Sequence, residues 1–105
     1  MKSKLSQKVK IGVSEYIQLL KNQGIDIEQA YVFGSYAKGK NHEWSDVDVC
    51  LVARDFKDPF DVMGFLFSIA YQLKIMIEPH PYHPKDFTGR DPLVSEIKKT
   101  GIKII

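Results

Sequence analysis

One cysteine, Cys50, stands in a chain of 105 residues, so no internal disulfide can form and the reading is a reducing compartment, the cytoplasm. No apolar run approaches the roughly 18 residues that a membrane-spanning helix needs. The basic start, Met1 to Leu5, is followed by no apolar segment, so no signal peptide and no membrane partner are expected. Glycine and proline are few, seven and five, against 44% hydrophobic residues, which excludes collagen and intrinsic disorder. Net charge is only +2, too little to argue for nucleic acid as a direct substrate. The length suits a single domain over residues 1–105. Chemistry that needs a second substrate lobe must borrow it from another chain.

What is present is unevenly placed. Residues 1–40 carry seven lysines and three acids, residues 41–61 six acids against Arg54 and Lys57, and residues 62–105 six bases and four acids. A short acidic block between basic segments suits a cation site flanked by phosphate-binding groups, and equally a solvated charged surface.

Leu5, Val9, Val13, Tyr16, Ile17 and Leu20 recur at spacings of three and four, predicting a helix over 3–22. Ser3 or Ser6 can cap its start and Gly24 can stop it. Ala30 to Phe33 reads as a strand buried on both faces, broken by Gly34-Ser35, and Tyr36-Ala37-Lys38 suits one helical turn. Val47 to Ala53 is a second strand, with Val47, Val49 and Leu51 on one face and Asp46, Asp48 and Cys50 on the other. Asp58-Pro59 opens a helix to about Leu73 that is apolar nearly all round, as core or as an interface. Lys74 to Glu78 is a third strand, expected to stop at Pro79, Pro81 and Pro84. Asp91-Pro92 opens a last helix ending at Gly101, and Ile102, Ile104 and Ile105 pack on the core. The class is α/β (α+β), a small mixed sheet with flanking helices on one side.

The chemistry lies in Val32-Phe33-Gly34-Ser35, ten residues, then Asp46-Val47-Asp48-Val49. A glycine turn after a strand lets backbone N–H groups approach an anion, and the Ser35 hydroxyl adds a donor. Two aspartates at i and i+2 leave one face of a strand, roughly 6.6 Å apart along the chain. Like charges so placed call for a cation, and hard oxygen ligands favour Mg²⁺ with substrate phosphates. That combination is what metal-assisted phosphoryl or nucleotidyl transfer needs.

Joined at this spacing, the two motifs resemble the polymerase-beta-like nucleotidyltransferase superfamily, and most of all its minimal nucleotidyltransferase (MNT) proteins of about a hundred residues. The resemblance implies that Gly34 and Ser35 hold the triphosphate of ATP and that Asp46 and Asp48 bind Mg²⁺. Lys38 stands where many relatives have arginine; it keeps the charge and loses the bidentate fork. Ser45 also matches the pattern, as nucleotide-binding residue or as strand-starting turn. The family draws a third carboxylate from the neighbouring strand, where Glu78 is the only acid. Met76 lies one step earlier on the same face, and in some relatives that position is the acid.

The resemblance implies transfer of AMP from ATP to a hydroxyl. Minimal members are commonly the antitoxin of HEPN/MNT pairs, so the implied acceptor is a tyrosine of a HEPN ribonuclease toxin. Two alternatives stay open: a small-molecule (antibiotic) nucleotidyltransferase, whose acceptor pocket would require a homo-oligomer, and a non-catalytic antitoxin acting by occlusion. His80 and His83 read as a proline-stiffened loop rather than a zinc pair, Trp44 as a base-stacking or packing ring, and Cys50 as a buried, inert thiol.

Overall fold

The computed structural model describes residues 5–37, 39 and 46–105. Helix α1, Gln7–Asn22, starts at Ser6, whose hydroxyl accepts from the Val9 N–H at 3.2 Å. It stops where Gly24 takes φ 90°, with the N–H groups of Gln23 and Gly24 turned back to the carbonyls of the last turn. Its buried stripe is the predicted one: Val9, Val13, Tyr16, Ile17 and Leu20. Strands β1, Gln29–Phe33, and β2, Val47–Val52, pair antiparallel, with Phe33 opposite Asp48. Helix α2, Pro59–Ala70, is capped by Asp58, which accepts from the Phe60 N–H at 3.0 Å. Strand β3, Ile77–Tyr82, runs parallel to β2. A 3₁₀ turn, Pro84–Asp86, leads to α3, Pro92–Thr100, capped by Asp91, and to β4, Ile102–Lys103. The sheet order is β3-β2-β1-β4.

The two faces of the sheet divide the core. Val32, Val47, Val49, Leu51 and Ile77 pack against α1 and α2, while Tyr31, Phe33, Cys50 and Val52 pack against Phe87 and the α3 residues Val94 and Ile97. Tyr16 is fully buried; its hydroxyl donates to the Leu66 carbonyl at 2.9 Å, tying α1 to α2, and burial pushes the phenol up from its ordinary value. Helices therefore cover both faces, not one: α3 is amphipathic through Val94 and Ile97 and needs the face that α1 and α2 leave free.

Several elements differ in extent from those expected, and others add to them. Helix α2 ends at Ala70, three residues early, in a turn built on Tyr71 and Gln72. Gly34 to Ala37 lie in a turn in which the Gly39 N–H donates to Tyr36 O at 3.4 Å, and Lys38, part of the expected helical turn, lies outside the described residues. Ile102 and Lys103 form a fourth strand on β1, with Ile104 donating to and Ile105 accepting from Ala30. The largest correction is β3. It begins at Ile77 and continues through Pro79 and Pro81 to Tyr82. The Val47 N–H donates to Met76 O and the Ala53 N–H to Tyr82 O, so the even-numbered residues of β3 turn their peptide groups to β2. The two prolines turn theirs to the open edge, where a missing N–H costs no ladder bond.

Candidate active site

The register of β2 and β3 sets Asp48 opposite Glu78 and Cys50 opposite His80. Residues two apart share a face, so Asp48, Glu78 and His80 all leave the side of the sheet that carries α3. Asp48, Glu78 and His80 come together, with one ligand atom from each inside a span of 4.8 Å. His80 Nε2 lies 3.1 Å from Asp48 Oδ1 and 3.9 Å from Glu78 Oε2. The His80 ring stands edge-on to Phe33 at 4.8 Å between centroids. Asp46 is exposed at the mouth of β2, outside that span but near enough for its charge to act on Glu78.

Gly34 closes the site from β1. It takes φ 75°, and a Cβ built there would collide with the Asp48 carboxylate. Glycine is thus required twice, for the left-handed turn and for the approach to Asp48. Ser35 follows in the same turn, half-buried. Beside Asp46 and Glu78 a pocket of about 400 Å³ opens, walled by Phe67, Tyr71, Ile75 and Met76.

The electrostatics suit a cation. Glu78 is raised from its ordinary value of 4.5, first by a side-chain hydrogen bond with Asp48, then by desolvation and the charges of Asp48 and Asp46, against a lowering by His80. Carboxylates set this close together offer their oxygens to a divalent ion, so the donor set fits Mg²⁺. In the metal-free protein the native state holds the Glu78 proton to higher pH than the unfolded chain does. That contribution is complete below pH 4.5 and is lost as pH rises through the raised native value. Melting in EDTA should therefore show stability falling over that interval, and Glu78→Gln should remove this part of the slope. A slope unchanged in Glu78→Gln would assign it to another group.

Over residues 14–105 the sequence matches the family described as Polymerase beta, Nucleotidyltransferase. The chain belongs to this nucleotidyltransferase family. It is 33% identical over 101 residues to the Methanocaldococcus jannaschii protein named "Putative protein adenylyltransferase MJ1305", covering 89% of this chain and 68% of that one. A crystal structure described as "the toxin-antitoxin with AMP-PNP" superposes with a TM-score of 0.65 at 22% identity, over 95% of this chain and 73% of its own. A Sulfolobus solfataricus structure superposes at 0.56 and 19% identity, over 92% and 76%. The small mixed sheet with flanking helices is thus the polymerase-beta-like nucleotidyltransferase fold that the resemblance implied.

Within this nucleotidyltransferase, Asp48 meets both Gly34 and Glu78, Ser35 follows Gly34 in its turn, and the charge of Asp46 reaches Glu78. Lys38, Trp44 and Ser45 lie outside the described residues. Met76 is largely exposed in the pocket wall, one step from Glu78. Cys50 is fully buried and burial pushes its thiol up to about 12, the inert group expected. Sequence reasoning missed His80, because ending the third strand at Pro79 left it in a loop. The signal was there: Glu78 and His80 are two apart, the period that puts both beside Asp48 once the strand continues. His83 is separate; its Nδ1 accepts from the Lys85 N–H and caps the 3₁₀ turn. No helix among the described residues is long and apolar enough to cross a membrane.

Proposed function

We propose that this nucleotidyltransferase moves AMP from ATP to a hydroxyl acceptor on a protein partner, a tyrosine of a HEPN-type toxin, and so acts as its antitoxin. The observation that carries the transfer chemistry is the meeting of the Gly34 turn with Asp48 and Glu78. The name of the M. jannaschii relative supports adenylylation of protein, and the toxin–antitoxin neighbour with AMP-PNP supports a nucleotide and a toxin partner. The aromatic and aliphatic pocket beside Glu78 suits the body of a phenolic side chain.

In this reading Asp46, Asp48 and Glu78 hold Mg²⁺, which when bound polarises the phosphoryl oxygens and offsets charge in the transition state. The Gly34 backbone and the Ser35 hydroxyl hold the phosphates; by the family resemblance, Ser45 serves nucleotide binding and Lys38 balances the charge of the departing pyrophosphate. The acceptor oxygen attacks the α-phosphorus, the bond to pyrophosphate breaks, and Glu78 takes the hydroxyl proton.

Co-expression with the product of the neighbouring gene, followed by intact-mass and peptide analysis, tests this. The expected result is AMP-sized increments on a tyrosine that vanish in Asp46→Ala and Asp48→Ala. An unmodified but silenced partner would make the chain an occluding antitoxin. An unmodified partner together with an adenylylated aminoglycoside would make it an antibiotic-modifying enzyme.

A further inference from the structure

His80 stands where a metal ligand would stand. It lies half-buried on β3, two residues past Glu78, with its ring held edge-on to Phe33 and its Nε2 aimed at Asp48. In an octahedral site with bonds of about 2.1 Å, neighbouring donors sit roughly 3 Å apart and opposite ones roughly 4.2 Å. The 3.1 Å and 3.9 Å from Nε2 to Asp48 and Glu78 oxygens fall at and between those separations. The three donor atoms, within 4.8 Å of one another, are thus grouped closely enough to face a single ion.

We propose that His80 Nε2 is a ligand of the divalent ion held by Asp48 and Glu78, which turns an all-oxygen Mg²⁺ site into a mixed nitrogen–oxygen site that prefers Mn²⁺. This rests on the metal-site part of the proposed function and goes beyond it in naming a fourth residue and the ion. To serve as a ligand, His80 would present the Nε2 lone pair and carry its ring proton on Nδ1. Imidazole is a favourable ligand for first-row transition ions and a poor one for Mg²⁺, which binds oxygen and keeps its waters. The bland alternative is a histidine that only orients Asp48 by a hydrogen bond. It predicts no bond from nitrogen to metal.

The test uses the whole chain, nucleotide-free, with Mn²⁺ or Mg²⁺ alone as the probe. Calorimetry should show Mn²⁺ bound at least about ten-fold more tightly than Mg²⁺. Pulsed electron paramagnetic resonance of the Mn²⁺ form should show coupling to a directly bonded ¹⁴N. In His80→Gln that coupling should disappear and the Mn²⁺ preference should collapse to about three-fold or less, with Mg²⁺ affinity little changed. The spectrum of the unsubstituted protein needs no variant to fold. Mn²⁺ bound with no nitrogen coupling, yet lost in Asp48→Asn, would overturn the role of His80 and leave the carboxylate site standing. Absence of divalent binding by either ion would overturn both.

Discussion

Asp48→Asn should lower AMP transfer by about 10³-fold or more, because a metal-bound carboxylate underwrites several kcal/mol of transition-state stabilisation. Without metal the same substitution should leave the protein as stable as before or more so. Asparagine keeps an amide that can pair with the His80 ring nitrogen in either tautomer, and it removes one of the two charges that act on Glu78. Transfer rate measured with saturating ATP and metal, beside melting in EDTA, separates the two effects. A variant that lost activity and stability together would mean that Asp48 serves folding, not the reaction. Full activity in Asp48→Asn would remove the metal assignment from β2.

Gly34→Ala should be costly in both respects, and Gly24→Ala isolates the reason. Both glycines take positive φ, 75° and 90°, so alanine at either meets the left-handed penalty of about 1–2 kcal/mol. A Cβ at Gly24 meets nothing within 4 Å. At Gly34 it meets the Asp48 carboxylate, which must move away from Glu78 and His80. Gly34→Ala should therefore destabilise by about 2–4 kcal/mol and lose metal-dependent nucleotide binding, while Gly24→Ala loses only the smaller amount and binds normally. On a domain of this size each kcal/mol moves the melting temperature by about 4–8 °C, so the two variants separate readily in a thermal scan. Equal losses in the two would show that backbone strain alone matters at Gly34.

Much of this architecture was legible because its signals are local. The stripe from Val9 to Leu20, the Ser6, Asp58 and Asp91 caps, and the alternation along Val47 to Val52 each follow from one short segment. What escaped depends on neighbours. Proline is a strand breaker when both sides of a strand are bonded, and nothing within residues 74–84 tells that β3 has only one bonded side. The same holds for β4, two residues that are a strand only because β1 offers them Ala30 to Val32. It holds too for α3, whose apolar pair could face either side of the sheet until the far face was known to carry Tyr31, Phe33 and Val52. At the site, Asp46, Asp48 and Gly34 were readable from spacing, whereas His80 needed the register.

The prolines of β3 also govern what the molecule can join. Ile77, Pro79 and Pro81 are the positions whose peptide groups face outward, and two of the three have no N–H to offer. At the opposite side the sheet ends in the two-residue β4. A visiting strand finds too few donors on one flank and too short a template on the other to add itself to the sheet. Among the described residues, both flanks of the sheet therefore disfavour assembly by strand addition. The surfaces this leaves for a companion are side chains on helices and pocket walls, where specificity is written residue by residue.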